Sequence, residues 1–341
     1  MLDARKKAIL FVAVQEYILT ADPVSSQRLV EKYQLGVSSA TVRNELALLE
    51  DLGYLRQPHT SAGRIPTDIG YRFYVDNTLD KPGLTVQEEE AVTELFSAVN
   101  REMGAMLHET TQILSHLTNY VAVVLAPSFK KSTLKHVDLV SISSRHVLAV
   151  LITNKGQVLK RIITIELADK GLSGIEHFLN ERLQGMGPAQ ISALKEGVDL
   201  ADRDTARLIR HLIGEIADIM ASEDKERVFL GGTSSILRQR EFEDLNKIEA
   251  LLNSLEHGYR LLQWLEDSLR TEKVLVKIGS ENTDQQIKDC TVIASSYHID
   301  GETLGTLGII GPTRMDYARA ISSVTIIADN LTRALTELRS G

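Results

Sequence analysis

Cysteine is nearly absent from this chain and long apolar runs are missing. Both absences exclude certain classes of protein. One cysteine, Cys290, occurs in 341 residues, which excludes an internal disulfide and a zinc site built on several cysteines. No run of 18 or more apolar residues is present, so the sequence predicts no transmembrane helix. A chain without disulfides or membrane spans is typical of the cytoplasm, which we therefore expect as its compartment.

Aromatic residues are also few, at 5%, but apolar residues reach 43% and charged residues 25%. This composition is typical of ordered domains, and the length suits two or three of them. The net charge of −8 argues against nucleic acid as a partner, yet residues 1–80 carry only −1, with nine Lys or Arg and ten Asp or Glu. Because phosphate contacts are local, the overall charge does not exclude a DNA-binding domain.

Motifs for catalysis and for cofactor binding are missing as well. The glycine-rich stretch GETLGTLGIIGP (301–312) lacks the lysine pattern of a phosphate-binding loop, and its alternation with apolar residues favours a strand or hairpin. The stretch GGTSS (231–235) lacks the G-x-S-x-G nucleophile elbow. Nine histidines show no metal-ligand spacing. The sequence therefore predicts no enzyme, no cofactor and no metal site.

The first 80 residues have the pattern of three helices followed by a two-stranded hairpin. A helical periodicity over 3–20 begins at Asp3, a second helix can be capped by Ser25, and Gly36 is placed to end it in a left-handed conformation. A third helix can open at Ser38 or Ser39, and short strands are predicted at 54–57 and 64–66. This order is typical of the winged helix-turn-helix.

The third predicted helix has the composition of a DNA-recognition helix. With Val42, Leu46 and Leu49 turned toward a core, small and polar residues occupy the opposite face. Small residues allow close approach, the Arg can reach guanine, the Asn can reach adenine, and hydroxyls near the helix start can take a phosphate. The candidate DNA-binding residues on this helix are Ser38, Ser39, Thr41, Arg43 and Asn44.

The stretch QPHTSAGRIP (57–66) predicts the tip of a wing. Pro58 and Pro66 stiffen its base, and Gly63 lets the turn close. A rigid arm loses little conformational entropy when it binds a phosphate or the minor groove. The candidate contacts here are His59, Thr60, Ser61 and Arg64. The residues alone leave other interpretations open, since the two serines before Ala40 can be plain helix caps and Arg43 a solvated surface residue.

The rest of the chain alternates strand-like and helical patterns. Residues 80–86, with Pro82 and Gly83, are typical of a linker. Strand-like runs lie on both sides of a helical block, which predicts one antiparallel sheet domain interrupted by an insertion.

Several motifs closely resemble the HrcA family of bacterial heat-inducible transcription repressors. They are SSATVRNE (38–45), LEDLGYL (49–55), QPHTSAGRIPT (57–67) and GYRFYVD (70–76), followed later by VFLGGTSSIL (228–237) and LGIIGPTRMDYARAI (307–321). The N-terminal motifs stand in the family's order and spacing, and the resemblance runs nearly end to end.

The resemblance implies an α+β fold in three parts. These are an N-terminal winged helix-turn-helix domain, a GAF-like antiparallel sheet domain and a mainly helical inserted dimerisation domain. The expected bounds are 1–79 for the winged helix, 80–86 for the linker, 87–167 with 240–341 for the GAF-like domain, and 168–239 for the insertion. It also implies a homodimer that represses chaperone operons by binding double-stranded DNA at the inverted-repeat CIRCE operator, with activity that depends on the GroEL chaperonin.

Two alternatives stay open beside this interpretation. GAF domains often bind small molecules, so the chain could be a metabolite-responsive winged-helix regulator with a ligand in the GAF-like domain. It could also be an enzyme or a chaperonin-associated interaction module that does not bind DNA.

Overall fold

The fold combines helices with antiparallel sheets in two compact units. The computed structural model describes residues 2–59, 62–78, 83–98, 103–127, 132–165, 171–194, 202–221, 228–239, 241, 249, 251–252, 255, 265, 274–299 and 301–340. Unit 1 comprises Met1–Val99, His108–Leu125 and Phe229–Ala334, and unit 2 comprises Asn100–Leu107, Ala126–Val228 and Leu335–Gly341. Helices and antiparallel strands are both present, which confirms the predicted α+β class.

Unit 1 begins with three helices and a short hairpin. The elements are α1 (Ala4–Thr20), α2 (Ser26–Lys32), α3 (Ser39–Asp51), β1 (Leu55–Arg56), β2 (Ile65–Pro66) and α4 (Asp68–Asp76). Side chains of Asp3, Ser25 and Ser38 cap the first three helices as the sequence predicts. The predicted role of Gly36 is wrong in detail: α2 ends at Lys32, and Gly36 takes a left-handed conformation in the following turn.

A buried carboxylate joins α1 to α2. The side chain of Glu16 is 0% exposed, and it accepts hydrogen bonds from Arg28 Nε (2.7 Å), Lys32 Nζ (2.6 Å) and Tyr33 Oη (2.9 Å). Burial alone would raise the pKa of Glu16, but the donors on Lys32, Tyr33 and Arg28 outweigh it and the pKa is lowered. The charged form of Glu16 is therefore the one that holds the two helices together.

The larger sheet lies in unit 1, among long helices. The next elements are α5 (Val86–Ala98), α6 (Met103–Thr118), β3 (Val121–Leu125), β7 (Val228–Gly231), β8 (Leu275–Ile278), β9 (Cys290–Ile299), β10 (Glu302–Pro312) and α10 (Tyr317–Ser340). The strand order is β7-β3-β10-β9-β8, and β10 pairs antiparallel with both β3 and β9. Helix α10 contacts this sheet, since Thr332 Oγ1 accepts a hydrogen bond from the backbone N–H of His298 at 3.1 Å.

Unit 2 contains a second sheet. Its elements are β4 (Leu134–Ser143), β5 (His146–Thr153), β6 (Val158–Thr164), α7 (Leu172–Leu183), α8 (Pro188–Leu194) and α9 (Arg203–Ala221). The strands pair antiparallel in the order β4-β5-β6, and one apolar face packs in a core with the three helices. The sequence predicts one sheet for the strands on both sides of the helical block, whereas these three form a sheet of their own. Short connections, including a left-handed Gly156, let them pair locally.

Two predicted helices fall partly outside the described residues. The periodicity over 87–117 corresponds to α5 and α6, between which 99–102 are not described, and most of the predicted helix 245–269 is not described either. In the part of the chain that the structure describes, no helix is both long and apolar enough to cross a membrane.

Candidate nucleic-acid interface

Helix α3 turns its apolar stripe inward and its polar face outward. Val42 and Leu49 are fully buried and Leu46 is 4% exposed, whereas Arg43 and Asn44 are exposed. The inward stripe that the sequence predicts is therefore confirmed. Because residues three and four apart share a helix face, burying one set leaves the other directed to solvent.

Hydroxyl groups at the start of α3 are joined in a small network. Ser38 caps the helix by accepting a hydrogen bond from the backbone N–H of Thr41 at 3.2 Å, and the two hydroxyl oxygens lie 3.0 Å apart. The Oγ of Ser39 lies 3.1 Å from the Oγ of Ser26 on α2. These contacts fix where α3 begins relative to α2. If the Ser38 hydroxyl contacts a phosphate, its oxygen can still accept the capping hydrogen bond from the N–H of Thr41 while its own hydrogen turns toward the phosphate.

A groove of about 710 Å³ separates α2 and α3 from the hairpin. Its lining residues are Val24, Ser25, Ser26, Gln27, Ser39, Ala40, Arg43, Leu46, Gln57, Ala62, Gly63 and Arg64. Within the ranges given above, the guanidinium of Arg43 has neither an ion-pair nor a hydrogen-bond partner, so it can take an acceptor from outside. Sequence reasoning did not predict Ser26 and Gln27 here, because only the packing of α2 against α3 brings them beside Arg43.

The hairpin is attached to the helices through Arg64. Its backbone pairs with Val24, with N–O distances of 2.8 and 2.9 Å, and its Nε lies 2.7 Å from Glu50 Oε2 in an ion pair. The other oxygen of Glu50 accepts a hydrogen bond from the backbone N–H of Gln57 at 3.0 Å. The structure thus engages Arg64 with α3, and a phosphate would have to share or displace Glu50. An acidic residue in the last turn of α3 is the sequence signal that could have indicated this pairing.

The tip of the hairpin is described only in part. His59 is exposed, and its carbonyl accepts a hydrogen bond from the backbone N–H of Ala62 at 2.9 Å. The side-chain amide of Gln57 donates to the carbonyl of Ala62 at 2.9 Å, which closes the loop. Two of the predicted contacts, Thr60 and Ser61, lie outside the described residues.

Gly63 allows the hairpin to pack closely on the chain before α2. A Cβ at this position would lie 2.5 Å from the carbonyl oxygen of Val24, closer than any real contact. We expect Gly63→Ala to displace the hairpin and to destabilise the N-terminal module by about 1–3 kcal/mol. Gly104→Ala is the matched control, because nothing lies within 4 Å of its added Cβ. Urea unfolding of both variants checks this, and an unchanged midpoint for Gly63→Ala would contradict the packing argument.

No metal site accompanies the groove in the region the structure covers. Among those residues, no group of three or more His, Cys, Asp or Glu is arranged to hold a metal ion. Three N-terminal helices, a hairpin and an exposed polar helix face define the class of this candidate, a DNA-binding regulator.

Comparison with known proteins gives the family. The family model described as HrcA protein C terminal domain matches residues 104–321, more than half of the chain. Relatives named "Heat-inducible transcription repressor HrcA" occur in Desulforamulus reducens, 36% identical over 100% of this chain and 99% of the relative, and in Carboxydothermus hydrogenoformans, 38% identical over 98% of each. The chain belongs to the HrcA family, as the sequence motifs indicated.

A solved structure extends the likeness to the whole fold. A crystal structure of a hypothetical protein at 2.2 Å resolution covers 99% of this chain and 100% of its own, with 26% identity and a TM-score of 0.71. The family model covers none of the first hundred residues, so the N-terminal motifs and the full-length relatives carry the comparison there.

Proposed function

We propose that this HrcA family member acts as a homodimer that binds an inverted-repeat operator of chaperone genes through α3 and the hairpin. The curated relatives are named as transcription repressors and not as enzymes. The observation that carries the proposal is the outer face of α3, where Arg43 and Asn44 are exposed beside a groove while the inward stripe is buried. Arg and Asn are the side chains that pair bidentately with guanine and adenine in the major groove.

The domain assignments belong to the same proposal. The order α1, α2, α3 and hairpin supports a winged helix-turn-helix domain within 1–79, followed by the linker 80–86. The sheet β7-β3-β10-β9-β8 with α6 and α10 supports a GAF-like domain, for which we retain the bounds 87–167 and 240–341. Strand β7 lies outside these bounds, and β4-β5-β6 lies within them but forms a separate sheet. Helices α7, α8 and α9 lie in 168–239, the proposed dimerisation insertion, and the sheet β4-β5-β6 shares their core.

An exposed apolar face in unit 2 supports dimerisation. Val140 and Ile142 on β4 are 52% and 54% exposed, and Val158 and Ile162 on β6 are 46% and 59% exposed. They lie on the side of β4-β5-β6 away from the core shared with the helices. A sheet face of this kind is typical of a protein–protein contact. A second copy of the chain is the partner that an inverted-repeat operator requires.

Charges on the same face suit a two-fold contact. Asp138 on β4 and Lys160 on β6 stand opposite Val150 of β5, one on each side. A two-fold axis along β5 places β4 of one copy over β6 of the other. Asp138 then faces the partner's Lys160 twice, and the apolar side chains meet each other.

This arrangement predicts the outcome of charge exchange. We expect Asp138→Lys or Lys160→Asp alone to weaken the dimer about tenfold or more, because like charges then face each other. The double exchange should restore association, which a purely structural effect would not do. Sedimentation equilibrium measures this, with Arg161→Asp as a control on the opposite side of β6. Dimers of unchanged strength in both single variants would contradict the use of this face.

Operator binding tests the function itself. Fluorescence anisotropy should show tighter binding to an inverted-repeat duplex than to a scrambled duplex of the same length, with affinity falling as salt rises. Equal affinity for the two duplexes at every salt concentration would overturn the proposal.

We also propose, from family membership, that the chaperonin GroEL controls the folded fraction in the cytoplasm. Heat regulation then needs no heat-sensing residue, because chaperonin occupied by unfolded proteins cannot restore the repressor. Refolding with and without chaperonin should give different yields of operator-binding protein, and equal yields at all temperatures would exclude this control.

A further inference from the structure

Helix α4 is bound to the edge of the larger sheet by directed polar contacts. Arg72 donates from Nε to Glu281 Oε1 at 2.8 Å and from Nη2 to the carbonyl of Val276 at 2.6 Å, and its Nη2 also pairs with Glu281 Oε2. Asp68 Oδ2 accepts a hydrogen bond from the backbone N–H of Ser280 at 2.8 Å. A bidentate Arg–carboxylate pair fixes orientation as well as distance. We call Asp68, Arg72 and Glu281 the latch.

The backbone next to the latch is shaped for it. A Cβ on Gly279 would lie 2.4 Å from the carboxylate of Asp68, and Gly279 has a left-handed φ of 53°, so a larger residue there would strain the backbone and displace that carboxylate. Glu281 itself accepts a hydrogen bond from the backbone N–H of Ile278 at 2.9 Å, which orients it toward Arg72. Helix α4 and the segment 276–281 therefore both contribute to the contact.

Two further contacts hold the N-terminal module to the same sheet unit. Arg314, just before α10, donates from Nη1 to the carbonyl of Ile18 near the end of α1 at 3.1 Å. The ring of Tyr317, which is fully buried, lies 5.9 Å from the ring of Tyr71 and 6.5 Å from that of Tyr74. Aromatic pairs at these distances add to the energy of burial. The module is thus docked at several points, not tethered by its linker alone.

We infer that Asp68, Arg72 and Glu281 are positioning residues that set which spacing between operator half-sites the dimer accepts. This inference rests on the proposed function. Each base pair added between half-sites moves one of them by about 3.4 Å and turns it by about 35°. Asp68, Arg72 and Glu281 fix the orientation of the N-terminal module on the larger sheet, so a module that keeps these contacts resists that displacement and a module that loses them yields to it more readily. The latch gives selectivity for spacing, and no latch residue needs to touch DNA.

The test compares parent and latch variants on three duplexes. These carry a single half-site, the inverted repeat with its own spacer, and the repeat with two base pairs inserted in the spacer. We expect the parent to lose about 100-fold in affinity on the altered spacer, because engagement of the second half-site is forbidden. Arg72→Met and Glu281→Gln lie on opposite sides of the latch. On the altered spacer, each variant should lose about ten times less affinity than the parent loses, and its affinity for the single half-site duplex should be unchanged. Glu181→Gln, which breaks an exposed pair within α7, is the matched control and should behave as the parent.

Each outcome separates the two proposals. If the parent prefers no inverted repeat, the proposed function fails. If the parent discriminates between spacers and both latch variants discriminate equally well, the latch proposal fails and the function stands. Tighter binding of the variants to the original operator would also overturn the latch proposal, because the docked position would then oppose DNA binding. Asp68→Ala is a further variant in case Arg72→Met fails to fold, and hydrogen exchange at 276–281 reports whether the latch has opened.

Discussion

Arg43→Ala is expected to cost about 1–3 kcal/mol of operator binding per half-site and to relax the preference at one base position in each. The proposed homodimer would use the residue twice, so the total expected loss is about twice that. The reason is geometric: Arg43 is exposed on α3 and lines the groove, with no ion-pair partner among the residues whose placement is given. Competition anisotropy against operators substituted at each position measures both the loss and the relaxed base preference.

The control for this prediction is Arg207→Ala, an exposed arginine on α9 in unit 2. Its removal changes net charge equally and should leave base preference intact. A contact that Arg43 makes only to phosphate would instead weaken binding evenly across sequences and flatten the salt dependence. A folded Arg43→Ala protein that binds like the parent would show that α3 does not read bases.

The second large effect concerns stability. Replacing both Arg28 and Lys32 by Met is expected to destabilise the N-terminal module by about 3–5 kcal/mol, because Glu16 is left as a buried charge with no cation. Glu16→Gln is expected to cost less, about 1–3 kcal/mol, since the side chains of Arg28 and Lys32 are 43% and 47% exposed and water can replace the carboxylate. Hydrogen exchange of the α1 and α2 amides measures the free energy of opening in each variant.

The prediction is that the double Met variant loses more stability than Glu16→Gln. A larger loss for Glu16→Gln than for the double Met variant would show that the carboxylate is not the costly buried group.

The stability contributed by Glu16 also depends on pH, with a defined sign. The folded pKa of Glu16 lies below its ordinary value, so its contribution is present at neutral pH and is lost as pH falls through the acid range. The Glu16→Gln module should lose less stability on acidification than the parent.

Local signals in the sequence were sufficient to predict the helices of the N-terminal module and the exposed face of α3. Polar residues before apolar periodic runs placed the caps of α1, α2 and α3, and the period of Val42, Leu46 and Leu49 placed the exposed face. Both are properties of a few neighbouring residues.

Properties that depend on distant residues could not be predicted in this way. The pairing of Arg64 with Glu50 arises only when the hairpin folds back on α3, and sequence spacing gives no measure of that distance. The docking of α4 on 276–281 joins residues about two hundred positions apart. The separation of β4-β5-β6 from the larger sheet likewise follows from which faces the helices cover.

The most direct measurement for the central claim is photo-cross-linking from α3. A photoreactive side chain at Asn44, exposed on the outer face, should cross-link to bases inside each half-site of an inverted-repeat duplex. The same group at Arg207 serves as the control and should give no cross-link. Base cross-links from position 44 within the half-sites are the result we predict. Their absence under conditions where the protein is bound to the operator would show that another surface contacts the DNA.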